Sequence, residues 1–95
     1  MPKFVIEREI PKIGASSPEQ YRGIAGQSCA VLAEMGPHIQ WLHSYVVADK
    51  TYCVYIAPDA DAVRRHAAKA GFPANRISEV RAIIDPTTRE GRGRR

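Results

Sequence analysis

Residues 39–57 read IQWLHSYVVADKTYCVYIA and predict two β-strands joined by a short turn, because β-branched and aromatic residues dominate both halves. The stretch holds the only Trp of the chain and three of its four Tyr. It also holds His43 and Cys53, whose side chains can bind metals. A hairpin with this composition is expected to pack against a second surface or a ligand.

Two helices are predicted, one before and one after the hairpin. Ser17 and Gln20 have the spacing of a capping box at the start of the first helix, and Gly36 suits its C-terminal end. Asp59 is the predicted N-cap of the second helix, which Gly71 ends. Apolar residues recur at helical spacing within both segments.

Two further strands complete the order. Residues 3–9 and residues 76–85 mix apolar, β-branched and charged residues in the manner of half-buried strands. The order β-α-β-β-α-β predicts an α+β, ferredoxin-like fold, in which two helices cover one face of an antiparallel sheet. The opposite face of that sheet is left open.

Length and charge indicate one domain with a basic end. A chain of 95 residues forms one domain, which we assign to residues 1–86. Residues 87–95 are predicted to be a flexible basic tail, because the last ten residues carry four Arg and one Glu, a net +3 of the total +4. The remaining charge is too small to indicate a specific nucleic-acid partner.

The sequence indicates a cytoplasmic protein without a membrane partner. No apolar run approaches the roughly 20 residues that span a bilayer. The segment MPKFVIEREI at the N-terminus has no apolar core of a secretory signal. Two cysteines do not form a disulfide framework and are expected to be reduced in the cytoplasm.

The hairpin register decides which side chains share a face, and a slip of one residue reverses it. A three-residue loop ADK would pair Tyr45 with Cys53 and His43 with Tyr55, whereas a two- or four-residue loop would give the opposite parity. We favour the three-residue loop because it sends Leu42, Val46, Val54 and Ile56 to the helices. The open face would then carry Trp41, His43, Tyr45, Cys53 and Tyr55.

On the first strand, alternation sends Phe4 and Ile6 to the helices and leaves Val5, Glu7 and Glu9 on the open face. The predicted open face is too apolar to remain in water. We therefore expect a second subunit or a ligand to cover it.

Four residues are candidate metal ligands. Imidazole and thiolate groups of His43 and Cys53 suit nickel or zinc, and Glu7 adds an oxygen. In the alternative interpretation, His43 only forms a hydrogen bond at an interface and Cys53 is a small buried apolar residue. His66 on the second helix either anchors that helix to the sheet or serves as a surface ligand.

Several strings cover about four-fifths of the chain and carry a family resemblance: FVIEREIP, SCAVLAEMGPHIQWLHSYV, KTYCVYIAP and GFPANRISEVRAIIDPTT. They resemble a bacterial domain-of-unknown-function family of small nickel-binding, ferredoxin-like proteins. The resemblance implies a five-stranded subunit that dimerises through its sheet into an α/β-barrel-like assembly. It also implies nickel binding at the dimer surface for sequestration or detoxification, without an established enzymatic activity.

The sequence thus favours a homodimer that binds nickel, zinc or another divalent transition metal. Its role would be to store or buffer the ion, with no covalent chemistry. The expected ligands are His43 and His66 first and Glu7 and Cys53 next, with Trp41, Tyr45 and Tyr55 on the cleft or dimer face. One alternative is a small monooxygenase- or isomerase-like enzyme with a cleft lined by His43, Tyr45 and Tyr55, which rests on fold analogy. The other is an interaction module whose aromatic face only makes the dimer.

Overall fold

A computed structural model describes residues 1–91 of the protein. The strands and α-helices are β1 (Lys3–Glu9), α1 (Pro18–Met35), β2 (Gln40–Val46), β3 (Lys50–Ile56), α2 (Ala60–Ala70) and β4 (Arg76–Glu79). Two 3₁₀ helices cover Ile13–Ala15 and Pro86–Glu90. Within the described residues, no helix has the length and apolar character that a membrane crossing needs.

The helices begin and end where the sequence predicts. The Ser17 hydroxyl accepts from the Gln20 amide at 3.2 Å, and the Gln20 side chain accepts from the Ser17 amide at 2.8 Å. The Asp59 carboxylate caps α2 by accepting from the Ala62 amide at 2.8 Å. Gly36 and Gly71 end the two helices with φ values of 88° and 75°. Residues other than glycine rarely adopt such positive φ values.

The sheet has the order β2-β3-β1-β4, and every neighbouring pair is antiparallel. Together with α1 and α2 this confirms the predicted α+β, ferredoxin-like fold. The core lies between the sheet and the helices. Its largest buried apolar members are Phe4, Ile6, Ile39, Tyr55 and Val63.

The predicted hairpin register is wrong. Val47 donates its amide to the Lys50 carbonyl at 3.0 Å, so that only Ala48 and Asp49 form the tip. Tyr45 therefore lies opposite Tyr52 instead of Cys53. The shorter turn reverses the parity of β3: Thr51, Cys53 and Tyr55 face the helices, whereas Tyr52, Val54 and Ile56 face outward.

A β-bulge between Trp41 and His43 separates two residues that simple alternation places together. Trp41 pairs with Tyr55 on the helix side, whereas His43 pairs with Val54 on the open face. The Trp41 indole donates to the Ser44 hydroxyl at 2.9 Å across the bulge. The predictions that Trp41, Cys53 and Tyr55 lie on the open face are therefore wrong. Those for His43 and Tyr45 are confirmed.

The segment after β1 holds the hairpin tip in this register. The amides of Ile10 and Gly14 donate to the carbonyls of Asp49 and Ala48 at 3.0 and 2.9 Å. The Asp49 carboxylate accepts from the Lys12 amide at 2.8 Å. A turn fixed by contacts with residues almost 40 positions away cannot be chosen from the sequence of the hairpin alone.

The last strand is shorter than predicted. Only Arg76–Glu79 pair with β1, where the pairing ends with Phe4 opposite Glu79, and beyond it Ile83 makes an isolated bridge. The fifth strand that the resemblance implies is not present among residues 1–91. Of the predicted tail, Thr87–Glu90 belong to a 3₁₀ helix capped by Asp85, and residues 92–95 lie outside the described part of the chain.

Two glycine substitutions should change stability in opposite directions. A Cβ at Gly14 would lie 2.6 Å from the Val47 carbonyl oxygen, so Gly14→Ala should lower the free energy of unfolding by about 1–3 kcal/mol. A Cβ at Gly23 meets nothing within 4 Å. Gly23→Ala inside α1 should therefore raise the free energy of unfolding by about 0.5–1 kcal/mol. Urea unfolding measures both, and a neutral Gly14→Ala would contradict the tight contact at the hairpin tip.

Candidate functional site

The structure divides the predicted metal ligands between the two sides of the sheet. Glu7 and His43 lie on the open face. Cys53 and His66 are buried on the helix side, in the core. The four side chains therefore do not form one cluster. Among residues 1–91, no group of three or more His, Cys, Asp and Glu side chains is placed to hold a metal ion.

The open face presents an aromatic pair at its edge strand. His43 and Tyr45 both point outward from β2, and their rings meet edge to face with centroids 5.0 Å apart. Tyr45 is 62% exposed. Glu7 lies two strands away and forms a 3.8 Å ion pair with Lys50. His43 is thus accessible to solvent and free of any short polar contact that would occupy its ring nitrogens within the described residues.

His66 is fully buried and anchors α2 to the core. This is the first of the two interpretations that the sequence allowed. Its Nε2 lies 3.3 Å from the Ser28 hydroxyl and 3.4 Å from the Ser28 carbonyl oxygen. Burial lowers the pKa of the imidazole, and the hydrogen bond to the Ser28 backbone opposes that shift in part. His66 is therefore a neutral core histidine, and the interpretation as a surface ligand is wrong.

Tyr55 extends the same polar contacts toward β3. Its hydroxyl lies 3.4 Å from that of Ser28, and its ring packs 5.2 Å from the imidazole of His66. Burial raises the pKa of the phenol, so that the neutral hydroxyl is retained well above neutral pH. Ser28 thus links α1, α2 and β3 through one hydroxyl.

A cavity of about 240 Å³ lies between α1 and the β2–β3 part of the sheet. Its wall is mostly apolar and includes Ile10, Ile13, Ile24, Trp41, Val46 and Phe72. Arg8, Ser28 and Tyr55 also line it. Trp41 and Tyr55 are thus cleft residues, but of a cleft on the helix side of the sheet.

Arg8 and Ser28 line the cavity but were not predicted as site residues. Arg8 follows Phe4 and Ile6 at a spacing of two, and this alternation places it on the helix side. Ser28 lies on the apolar stripe of α1, where a small polar residue has no distinguishing pattern. The signal for Arg8 was therefore present in the sequence, whereas the partners of Ser28 required the fold.

The family of the chain follows from comparison with known proteins. A sequence model described as nickel responsive protein SCO4226-like matches residues 4–80, which include all four strands except Lys3, the first residue of β1. The chain belongs to the SCO4226-like family. The match ends at β4 and so excludes the basic end of the chain.

The fold of this SCO4226-like protein is also that of a solved structure. The crystal structure of SCO4226 from Streptomyces coelicolor A3(2) superimposes with a TM-score of 0.70 at 22% sequence identity. The match covers 83% of this chain and 95% of that one. The similarity supports the ferredoxin-like architecture. No curated protein matches the chain.

His66 should make the stability of this SCO4226-like protein depend on pH. Its pKa is below the ordinary value of 6.5, so the unfolded chain binds the proton more readily than the folded one. The contribution of the neutral imidazole is then fully present above about pH 6.5 and is lost as the pH falls toward the lowered pKa. The urea midpoint should therefore drop between pH 7.5 and pH 5.5, and should drop less in His66→Leu.

The exposed His38 provides the matched control. His38→Leu should keep the pH dependence of the unmodified protein. An unchanged pH dependence in His66→Leu would show that the buried imidazole does not control acid stability.

Proposed function

We propose that the protein binds nickel, or a related divalent transition metal, and buffers or sequesters it without covalent chemistry. The observation that carries this proposal is the match of residues 4–80 to a family described as nickel responsive. The accessible imidazole of His43 supports it, because imidazole is a preferred ligand for nickel and zinc. The proposed setting is the cytoplasm, where the two free cysteines stay reduced.

The proposed metal site lies on the open face, with His43 as the first ligand and Glu7 as the second. Cys53 and His66 are buried behind the sheet and would need the helices to move away before they reached an ion. The strands that carry Glu7 and His43 are separated by β3, which places their backbones about 10 Å apart. Two side chains leave most positions around one ion open, and no third His, Cys, Asp or Glu of residues 1–91 forms a group with them.

A second copy of the chain is the proposed source of the remaining ligands. In a two-fold dimer, each open face meets the other, so that His43 of one copy approaches groups of its partner. The outward residues of the open face give a reason for such contact, since Val5, Tyr45, Tyr52, Val54 and Ile56 form an apolar surface around the charged groups. Homodimerisation and metal binding are thus one proposal, with a site at the dimer surface.

No observation favours the enzyme alternative. It needs His43, Tyr45 and Tyr55 around one cleft, whereas Tyr55 lies on the opposite side of the sheet from the other two. The simpler alternative, a dimer that binds no metal, shares the open face with our proposal. The two differ only in metal uptake.

Metal binding is tested by unfolding midpoints of tagless protein with nickel, zinc, cobalt or magnesium. Nickel should raise the midpoint at pH 7.5 by several degrees, since a ligand at a hundred times its Kd adds about 2.7 kcal/mol. The shift should decrease at pH 5.5, because protons compete with the metal ion for imidazole ligands. His43→Ala should reduce it, and His38→Ala should not. A midpoint that no metal changes would overturn the proposal.

The dimer is tested by one charge on each side of the sheet. Tyr45→Glu places a carboxylate on the exposed edge of the open face and should shift the protein from dimer to monomer in sedimentation equilibrium. Ala68→Glu places the same charge on the solvent side of α2 and should leave the dimer intact. A monomeric unmodified protein, or dissociation by Ala68→Glu, would contradict an interface on the open face.

A further inference from the structure

Within residues 1–91, Arg8 is a buried charge without a charged partner. It is only 2% exposed, and arginine stays protonated in proteins. Its Nη1 donates to the Pro73 carbonyl at 2.5 Å, whereas its Nη2 is buried and has no hydrogen-bond partner within residues 1–91. A buried cation of this kind is costly unless an anion or further acceptors compensate it.

The protein does not supply that anion from the residues described. Their ion pairs use the carboxylates of Glu7 on the open face, Asp61 on the solvent side of α2 and Glu79 at the end of β4, and none of them includes Arg8. Two aromatic rings lie near the guanidinium, with their centroids 5.5 Å (Phe72) and 5.9 Å (Tyr55) from its central carbon. These cation–π contacts compensate the charge in part but accept no hydrogen bond from Nη2.

The cavity beside Arg8 has the size and lining for a small organic ligand. Its volume of about 240 Å³ exceeds the roughly 150 Å³ of an apolar cavity known to hold benzene. Among the described residues that line the cavity, Arg8 is the only Lys or Arg, and none is Asp or Glu. An apolar wall with one cation is a typical design for a ligand that has an apolar body and one negative group.

We propose that this cavity binds a small organic monocarboxylate with an apolar body. The carboxylate accepts from the guanidinium of Arg8, which lines the cavity, in a charge-assisted hydrogen bond, and the body packs against Trp41 and the isoleucines of the wall. A phosphate is disfavoured, because its second charge would find no second cation in this cavity. The site lies on the helix side of the sheet and is separate from the proposed metal site.

Trp41 makes the test direct, because the only Trp of the chain lines the cavity and its fluorescence should change on binding. The probe is 3-phenylpropanoate, with 3-phenylpropan-1-ol and 3-phenylpropylammonium as neutral and cationic analogues of the same body. Titrations contain EDTA so that metal plays no part. The carboxylate should bind about tenfold or more tightly than the alcohol, and the ammonium should bind more weakly than both.

Two matched variants distinguish an effect of the Arg8 cation at the cavity from an effect of the net charge of the protein. Arg8→Met keeps a side chain of similar length without the cation, and it should remove the preference for the acid over the alcohol while the alcohol still binds. Arg81→Met removes an exposed Arg outside the cavity and should change neither affinity. The unfolding midpoint of the ligand-free Arg8→Met protein verifies its folding, since an apolar replacement of an unpaired buried charge is expected to be tolerated.

Three results would overturn the proposal, and the first two need no variant. One is equal binding of acid and alcohol, which would mark an apolar cavity without recognition of charge. Another is the absence of any fluorescence change with the acid at millimolar concentration. The third is an equal loss of acid binding in Arg8→Met and Arg81→Met, which would assign the effect to net charge.

Discussion

The pairing of β3 with β1 is the constraint on which the rest of the structure depends. These two central strands place Phe4 opposite Tyr55, Ile6 opposite Cys53 and Arg8 opposite Thr51 on the helix side. A slip of one residue would send the side chains that one of the two strands contributes to the open face. The core, the cavity wall and the outward face are thus set by one register, and the segment at residues 10–14 holds the neighbouring hairpin to it.

The fold was predictable from the sequence because its signals are local. Ser17, Asp59 and the glycines after both helices act through hydrogen bonds and backbone angles within a few residues, and each is where the sequence places it. The ends of the sheet were less predictable. Residues 81–85 have the composition of a strand, but the pairing with β1 ends at Glu79, and of these five residues Ile83 alone makes a bridge.

The site was predictable only in part, because it depends on which strand residues lie on which face of the sheet. Glu7, His43 and Tyr45 do lie on the open face, as alternation from the strand composition indicates. Cys53 and Tyr55 do not, since a turn one residue shorter reverses β3. The prediction for Trp41 is wrong for a different reason, because a bulge breaks the alternation of side chains within β2 itself. Neither the turn nor the bulge contains a Gly or Pro that would have indicated its position in the sequence.

The sheet also separates two kinds of polar group. On the helix side, Ser28, Tyr55 and His66 form a neutral hydrogen-bonded cluster in which His66 Nδ1 has no partner, and among residues 1–91 Arg8 is the charged group beside it. On the outer side, charges such as Glu7 and Lys50 pair in partial contact with water, where an ion pair contributes little to stability. Because small domains have little stability to spare, an unpaired internal charge is the less ordinary of the two features.

The bulge in β2 has a consequence for the protein at high concentration. β2 forms one edge of the sheet, and an edge strand offers unpaired amides and carbonyls to any passing strand. The irregularity between Trp41 and His43 interrupts that row of donors and acceptors and increases the local twist. A foreign strand can therefore add to this edge over only a few residues, which protects the chain from open-ended aggregation through its sheet.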